Sequence, residues 1–417
     1  MAQLSNDCFA FGGELMSVDE AIALVAERLS IVAGIEDVPL VKADGRVLAE
    51  DIVAPIDLPP FDNSAVDGYA VRFDDLERGG ETLLPVVGRV AAGSSLDGAA
   101  AKRTAARIFT GAPMPKGLDT VFMQEDVRVS GEGVVLPAGL KRGANRRLAG
   151  EDLARGAPAL ALGRRLSPPD IALLAALGLA TVPARAPLRV AVFSTGDEVV
   201  SPGEPLGPAK LYDANRFMLQ AMLRRLGCRP TDLGILADEP RALAGALVRA
   251  AAGQDLILTS GGVSTGEEDH VKAAVEAAGA LTFWRVGIKP GRPVAMGVVA
   301  GTPFIGLPGN PVAVFVTFVT VARAVIARLS GESYTPPRTF PVASGFAYKK
   351  KEGRREYVRV RLEAGPDGRL TARKHPREGA GVITSLTESD GLVELPEPVT
   401  RIEPGDVLRF LPYDLLR

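Results

Sequence analysis

From Leu188 onward, short apolar runs alternate with helical stretches, and this alternation constrains the fold more than any other feature of the chain. RVAVF at 189–193, TDLGIL at 231–236 and DLILT at 255–259 read as strands, with helices expected over about 214–226, after Pro240 and from about 267. Strands separated by helices favour parallel pairing with helices on both faces, a doubly wound sheet. Ligands of such sheets gather beyond the carboxyl ends of the strands, where loops meet helix N-termini. Three loops there carry chemistry. Ser194-Thr195-Gly196-Asp197-Glu198 offers small residues and two carboxylates, although Gly and Asp also make ordinary turns. Thr259-Ser260-Gly261-Gly262-Val263-Ser264-Thr265-Gly266 is built to present successive N–H groups to an oxyanion. Lys289-Pro290-Gly291-Arg292-Pro293, followed by Gly306-Leu307-Pro308-Gly309-Asn310-Pro311, joins rigid backbone to positive charge and reads as an anion pocket. Asp213 and Asp238 stand just ahead of helices and read as N-caps.

Length divided by roughly 150 residues per domain gives about three folded units. Residues 17–33 open with Ser17 and Glu20 in capping-box spacing and predict an amphipathic helix. Between about 51 and 145, β-like pieces (Leu83 to Val87, Ala106 to Phe109, Thr120 to Met123) are broken by Gly and Pro, which predicts a small β-rich domain. Arg164 to Gly178 reads as a helix with Pro168 and Pro169 in its first turn. After the Pro336-Pro337 pair, alternating segments at Glu356 to Leu362 and Val407 to Leu411 predict a closing β domain. The basic run Lys349 to Arg355 reads as a solvated hairpin.

Composition removes several functions. With 48 Lys plus Arg against 50 Asp plus Glu, there is no case for a bulk nucleic-acid binder. Two cysteines and two histidines leave no thiolate zinc site, disulfide framework or H-E-x-x-H helix, so chemistry falls to carboxylates, Lys and Arg. No signal peptide is expected, and the apolar run Val312 to Ala322 is shorter than the about 20 residues of a membrane span and reads as a buried helix. A cytoplasmic protein without a membrane role is expected.

The β-rich region has dense segments of its own. Phe61 to Ala70 sets Asp62 and Asp67 around one turn with Asn63 and Ser64, Thr110-Gly111-Ala112-Pro113-Met114-Pro115 follows a β run, and Arg146-Arg147 precedes Gly150-Glu151-Asp152. Singly each is a turn or a surface ion pair. Together they look like half of a site.

FDNSAVDGYA, TGAPMPKG, RRLAGED, FSTGDE, LYDANR, TSGGVSTGEED, IKPGRPVA and GLPGNP occur in this order. Together they closely resemble the molybdopterin molybdenumtransferase family and its relative, the E domain of gephyrin. The resemblance covers nearly the whole chain and is weakest after residue 340. It implies a multidomain α+β and α/β protein. An elongated linker domain would comprise 14–50 and 146–183, its first helix able to pack on the α/β domain. A small β-rich domain (51–145), a doubly wound molybdopterin-binding domain (184–334) and a C-terminal β-barrel-like domain (335–417) would follow. It also implies a homodimer with the active site between subunits.

The reaction implied takes adenylyl-molybdopterin and molybdate, inserts the metal between two sulfurs and releases AMP with magnesium. By resemblance Asp67, Thr110, Asp152, Glu198, Asp238, Asp269 and Lys289 are the catalytic positions, with Glu198, Asp238 and Asp269 candidates for the metal. Ser260, Gly261, Gly262, Ser264, Arg147, Arg285, Arg292, Pro308, Gly309 and Pro311 are expected at substrate. Arg285 and Arg292 stand where lysine is frequent in the family, and Ser385 is not assigned. Possible partners are molybdopterin adenylyltransferase and molybdoenzymes. The competing readings are that adenylyltransferase itself, tungstate in place of molybdate, and a gephyrin-like scaffold.

Overall fold

The structure, a computed structural model, describes residues 16–96, 98–237, 239–262, 270–291 and 293–415. The chain forms two compact units, one of Glu50–Leu162 with Ser167–Val182, the other of the remaining segments. Helix α1 (Val18–Arg28) begins with the expected capping box, the Ser17 hydroxyl accepting from the Glu20 N–H and the Glu20 carboxylate accepting from the Ser17 N–H. It stops at Arg28 rather than running to 33. The N–H groups of Val32 and Ala33 leave the helical ladder and donate to the Leu329 carbonyl at 3.0 and 3.2 Å.

The smaller unit holds strands β1 (Gly68–Val71), β2 (Thr82–Val90), β3 (Ala105–Ile108), β4 (Thr120–Met123), β5 (Arg128–Ser130) and β6 (Gly133–Leu136). They form one sheet in the order β4-β1-β3-β2-β6-β5. Gly68 is dictated by this packing: a Cβ there would lie 1.8 Å from the Phe122 carbonyl oxygen. Helix α2 (Pro168–Ala176) belongs to the same unit; it begins four residues later than its sequence suggests, at the two prolines, and ends before Gly178 at φ +81°.

The larger unit contains β7 (Arg189–Ser194), α3 (Asn215–Arg225), β8 (Arg229–Ile235), α4 (Pro240–Ala251), β9 (Leu256–Ser260), α5 (His270–Ala278), β10 (Gly279–Arg285), β11 (Pro293–Val299) and β12 (Thr302–Leu307). Sheet order is β8-β7-β9-β12-β11-β10, parallel through β12 and antiparallel beyond it. Both faces are buried, as a doubly wound sheet requires. Val190, Val192 and Leu258 meet α1, α3 and the apolar helix, while Ala191, Phe193 and Ile257 meet α4 and α5.

That apolar helix is longer than the sequence suggests. Helix α6 (Pro311–Thr317), a π turn at Phe318–Ala322 and α7 (Arg323–Ser330) run on as one 20-residue helical segment, in which an 18-residue stretch has mean hydropathy 2.0 and is 83% buried in the protein. Five further strands, β13 (Phe340–Ser344), β14 (Arg355–Ala364), β15 (Leu370–Lys374), β16 (Gly391–Leu395) and β17 (Val407–Pro412), close into a barrel because β14 pairs with both β15 and β16. Lys350, in the expected solvated hairpin, is instead buried and donates to the carbonyls of Lys351, Arg354 and Glu397.

Gly68→Ala should lower the urea midpoint markedly, because backbone on a neighbouring strand cannot yield, at a cost of about 1–3 kcal/mol or more. Gly34→Ala, where a Cβ meets nothing within 4 Å, should stay within about 0.5 kcal/mol of the parent. Equal midpoints for the two variants would contradict this packing.

Candidate active site

The carboxyl ends of three adjacent parallel strands lie level. Ser194 pairs with Ser260, and Ser260 with Leu307. The loops that follow therefore start side by side. Gly261, at φ +85°, approaches Gly309 so closely that an added Cβ would touch the Gly309 Cα at 3.9 Å. At Gly262 a Cβ would meet the Thr195 and Val271 methyls at 2.8 and 2.6 Å, which ties the first loop to the second. Gly196, at φ +127°, leaves room for the Glu198 carboxylate, whose Oε2 would be 2.6 Å from a Cβ there. Glycine is favoured at all three positions by conformation, and at Gly196 and Gly262 also by space. Ser260 is buried, Glu198 and Gly309 are exposed, and Pro308 leads through Asn310 to Pro311, the first residue of α6.

Asn215 was not singled out by sequence reasoning. Its Nδ2 donates to the Gly309 carbonyl at 2.6 Å and ties α3 to this loop. Its place in LYDANR was the available signal. Asp213, expected as the helix cap, stands one residue ahead of the N-cap Ala214 and accepts from the Arg216 N–H at 3.1 Å and from its Nε at 2.8 Å.

The expected third loop divides in two. Gly306 to Pro311 stays at the strand ends, but Lys289 pairs with Glu356 on the barrel strand β14, because the chain after β10 crosses to the barrel before returning as β11. Lys289 Nζ donates to Glu356 Oε2 at 3.1 Å and to the Tyr348 hydroxyl at 3.2 Å; that hydroxyl donates to Glu356 at 2.8 Å. Burial acts to lower the Lys289 pKa, but these two partners outweigh it and raise it above its ordinary value. Glu356 is 1% exposed and also accepts from Arg354, so this carboxylate is spanned by cations.

Around them lies a cavity of about 440 Å³ lined by Lys289, Gly291, Tyr348, Arg359, Lys374 and Arg377 among others. The Lys289 and Lys374 ammonium groups stand 5.7 and 5.6 Å from the Tyr348 ring centre. Arg359 is buried, which lowers its pKa, and its Nε donates to the buried Ser385 hydroxyl at 3.1 Å. The cavity adjoins the strand-end loops through α6, since the Val312 N–H donates to the Ala380 carbonyl at 2.9 Å. Arg285 is exposed at the end of β10 and is not among the described residues lining this cavity.

The smaller unit gathers the remaining motifs. Arg146 and Arg147 pair with Ser64 and Asn63, the Ser64 N–H donates to the Ala112 carbonyl, and the Asp152 N–H donates to the Leu58 carbonyl. Arg147 and Asp152 are exposed, Arg147 lying 3.7 Å from Glu151. Asp67 accepts from the Thr110 backbone N–H at 2.8 Å and from its hydroxyl at 2.7 Å. These bonds, in that order, hold its carboxyl below the usual range, with a smaller push from the Arg107 charge.

Asp238, Ser264, Asp269 and Arg292 lie outside the described residues. Among the described residues no three His, Cys, Asp or Glu side chains gather to hold a metal ion. The buried Cys228 thiol is pushed up to about 12 by desolvation and is no thiolate ligand.

A depressed folded pKa stabilises the fold above the unfolded value and loses that contribution as pH falls through the folded one. Thr110→Val removes the hydroxyl but keeps the backbone N–H, so the Asp67 titration followed by carboxyl carbon NMR should move upward and remain below the ordinary range. An unmoved titration would contradict the role given to the hydroxyl.

Three family profiles match the chain in order: the MoeA N-terminal region (domain I and II) over residues 16–178, a probable molybdopterin binding domain over 191–328, and the MoeA C-terminal region (domain IV) over 341–413. A protein of Haemophilus influenzae named molybdopterin molybdenumtransferase is 36% identical over 404 residues, covering 96% of this chain and all of that one. Molybdopterin molybdenumtransferase 2 of Mycobacterium tuberculosis is 35% identical, covering 95% and 99%. Among solved structures, the molybdopterin biosynthesis moeA protein of Pyrococcus horikoshii superposes with TM-score 0.82 at 29% identity, covering 96% of this chain and all of that chain. Three consecutive profiles and near-complete relatives above 30% identity leave one conclusion: the chain belongs to the MoeA family.

Proposed function

We propose that the chain is a molybdopterin molybdenumtransferase, which inserts molybdate into adenylyl-molybdopterin and releases AMP. The observation that carries this reading is the pairing of two anion-receiving features in one unit: the cationic cavity at Lys289 and Arg359, and the glycine-lined strand ends at 261–262 and 309. The substrates are both anions. Bringing two negative charges to about 4 Å costs on the order of 4 kcal/mol at an effective dielectric of 20. Lys289, Arg359, Lys374 and Arg377 offset that for molybdate, and Arg292 is assigned the same role from the sequence. The 260–266 loop with Pro308 to Pro311 receives the phosphate end, where backbone N–H groups and the start of α6 favour negative charge. Binding and orientation supply the catalysis, and no covalent nucleophile is needed.

Magnesium is held by one or two carboxylates with substrate phosphate and water, not by an all-protein cage. An exposed Glu198 in the loop after β7 fits that demand, with Asp238 and Asp269 assigned as its companions from the sequence. When bound, the ion would neutralise phosphate charge. Asp67, Thr110 and Asp152 are assigned to the adenylyl end, with Arg147 and Arg285 at its margin. The chain would act as a cytoplasmic homodimer completing the site with a second copy, in the four-domain arrangement 14–50 with 146–183, 51–145, 184–334 and 335–417. Supply of substrate by molybdopterin adenylyltransferase and delivery to molybdoenzymes follow from the same reading. An adenylyltransferase activity would leave the barrel cavity and the Asp67 cluster without a task. Tungstate has the same shape and charge as molybdate and should compete for the cavity.

The chain given adenylyl-molybdopterin should release AMP only when molybdate and magnesium are both present. Lys289→Ala should raise the molybdate concentration needed about ten- to a hundredfold, the loss of a charge-assisted hydrogen bond of about 1.5–3 kcal/mol. Rapid pyrophosphate release from pterin and ATP without molybdate would favour the adenylyltransferase instead.

A further inference from the structure

Arg107 stands on β3 directly opposite Tyr69 on β1. Its guanidinium is flanked by two rings, 5.0 Å from the centre of Tyr69 and 4.8 Å from that of Phe109. One arm of the fork, Nη1, donates to the Gly68 carbonyl at 3.1 Å, and the other, Nη2, donates to the Gln124 side-chain oxygen. Gln124 in turn donates its backbone N–H to the Asp67 carbonyl at 3.0 Å. The Asp67 turn is therefore gripped three times: at its carboxylate by Thr110, at its own carbonyl by Gln124, and at the next carbonyl by Arg107.

Arg107 is half-buried, and among the described residues its guanidinium bonds to neutral oxygens and forms no ion pair within 4.0 Å. Both arms are committed to neutral oxygens around Asp67, and the Tyr69 and Phe109 rings lie against the guanidinium. Only a planar, two-armed donor can reach both acceptors at once; a lysine supplies the charge without the fork.

We propose that Arg107 is a positioning residue, whose forked grip on Gly68 and Gln124 holds the Asp67 carboxylate in its working orientation. This rests on the reading of Asp67 as a site residue, and the experiment separates the two. In the full-length protein, AMP release is measured in single turnover for Asp67→Asn, Arg107→Met, Arg107→Lys and the double variant Asp67→Asn with Arg107→Met, alongside thermal melts. Arg107→Met should slow turnover on the order of ten- to a hundredfold with little change in KM for the adenylylated pterin. Arg107→Lys should be slowed nearly as much, and it stands in for the Met variant should that one fail to fold. The double variant should be no slower than Asp67→Asn alone, the signature of two residues acting as a unit. Additive losses, rescue by lysine, or near-normal rates for the Arg107 variants beside an impaired Asp67→Asn would overturn the positioning role while leaving the site intact. A near-normal Asp67→Asn would overturn the assignment of Asp67 itself, and this proposal with it.

Discussion

Everything at the candidate site follows from parallel strands ending level. A parallel ladder fixes Ser194, Ser260 and Leu307 beside one another, so the residues that follow cannot avoid sharing one crevice. Three glycines there hold a positive φ that disfavours a side chain; a Cβ on Gly262 would strike two methyl groups, one on Gly196 would push the Glu198 carboxylate aside, and one on Gly261 would just reach contact with Gly309. The sheet itself is held by a core on each face, so this rim of glycine rests on a rigid base.

The second element is the barrel, which shares a core with the doubly wound sheet through Tyr357, Leu392 and Leu411. Its contribution to chemistry is charge that would be costly elsewhere. Glu356 is almost fully buried, and an unpaired charge in that place would be costly. Lys289, Arg354 and the Tyr348 hydroxyl satisfy it, and in doing so they hold the Lys289 ammonium at the cavity wall. Arg359 is arranged similarly, fixed by Ser385 and by the carbonyls of Arg377 and Gly379. Cations held in advance bind an oxyanion without the entropy of ordering long side chains.

Local signals were legible in the sequence, and distant pairings were not. The Ser17 and Glu20 capping box, the strands at 189–194 and 256–260, and the helix starting at Pro240 are set by residues within a few positions of each other. The strand-end loops were legible because glycine and proline mark them. Lys289 was identified as a cation near an anion, but its partners Tyr348 and Glu356 stand 59 and 67 residues downstream in strands whose alternation spoke only of a β domain. Nothing local in Glu356, Arg359 or Lys374 says that they turn toward Lys289. The same limit explains the helix drawn to 33: Ile31 and Val32 carry helical periodicity, while the carbonyl that draws the chain away belongs to Leu329. The antiparallel excursion β10-β11-β12 was not assigned from the sequence, since its pairing is set by neighbouring strands and not by any local signal.

On the proposed function, the level strand ends form a single anion-receiving crevice. A crystal structure of the full-length protein with AMP bound tests it most directly. Nucleotide phosphate should lie against the backbone of residues 262 and 309, beyond the ends of β9 and β12. Phosphate bound at a distant surface, with the crevice holding only solvent, would contradict it.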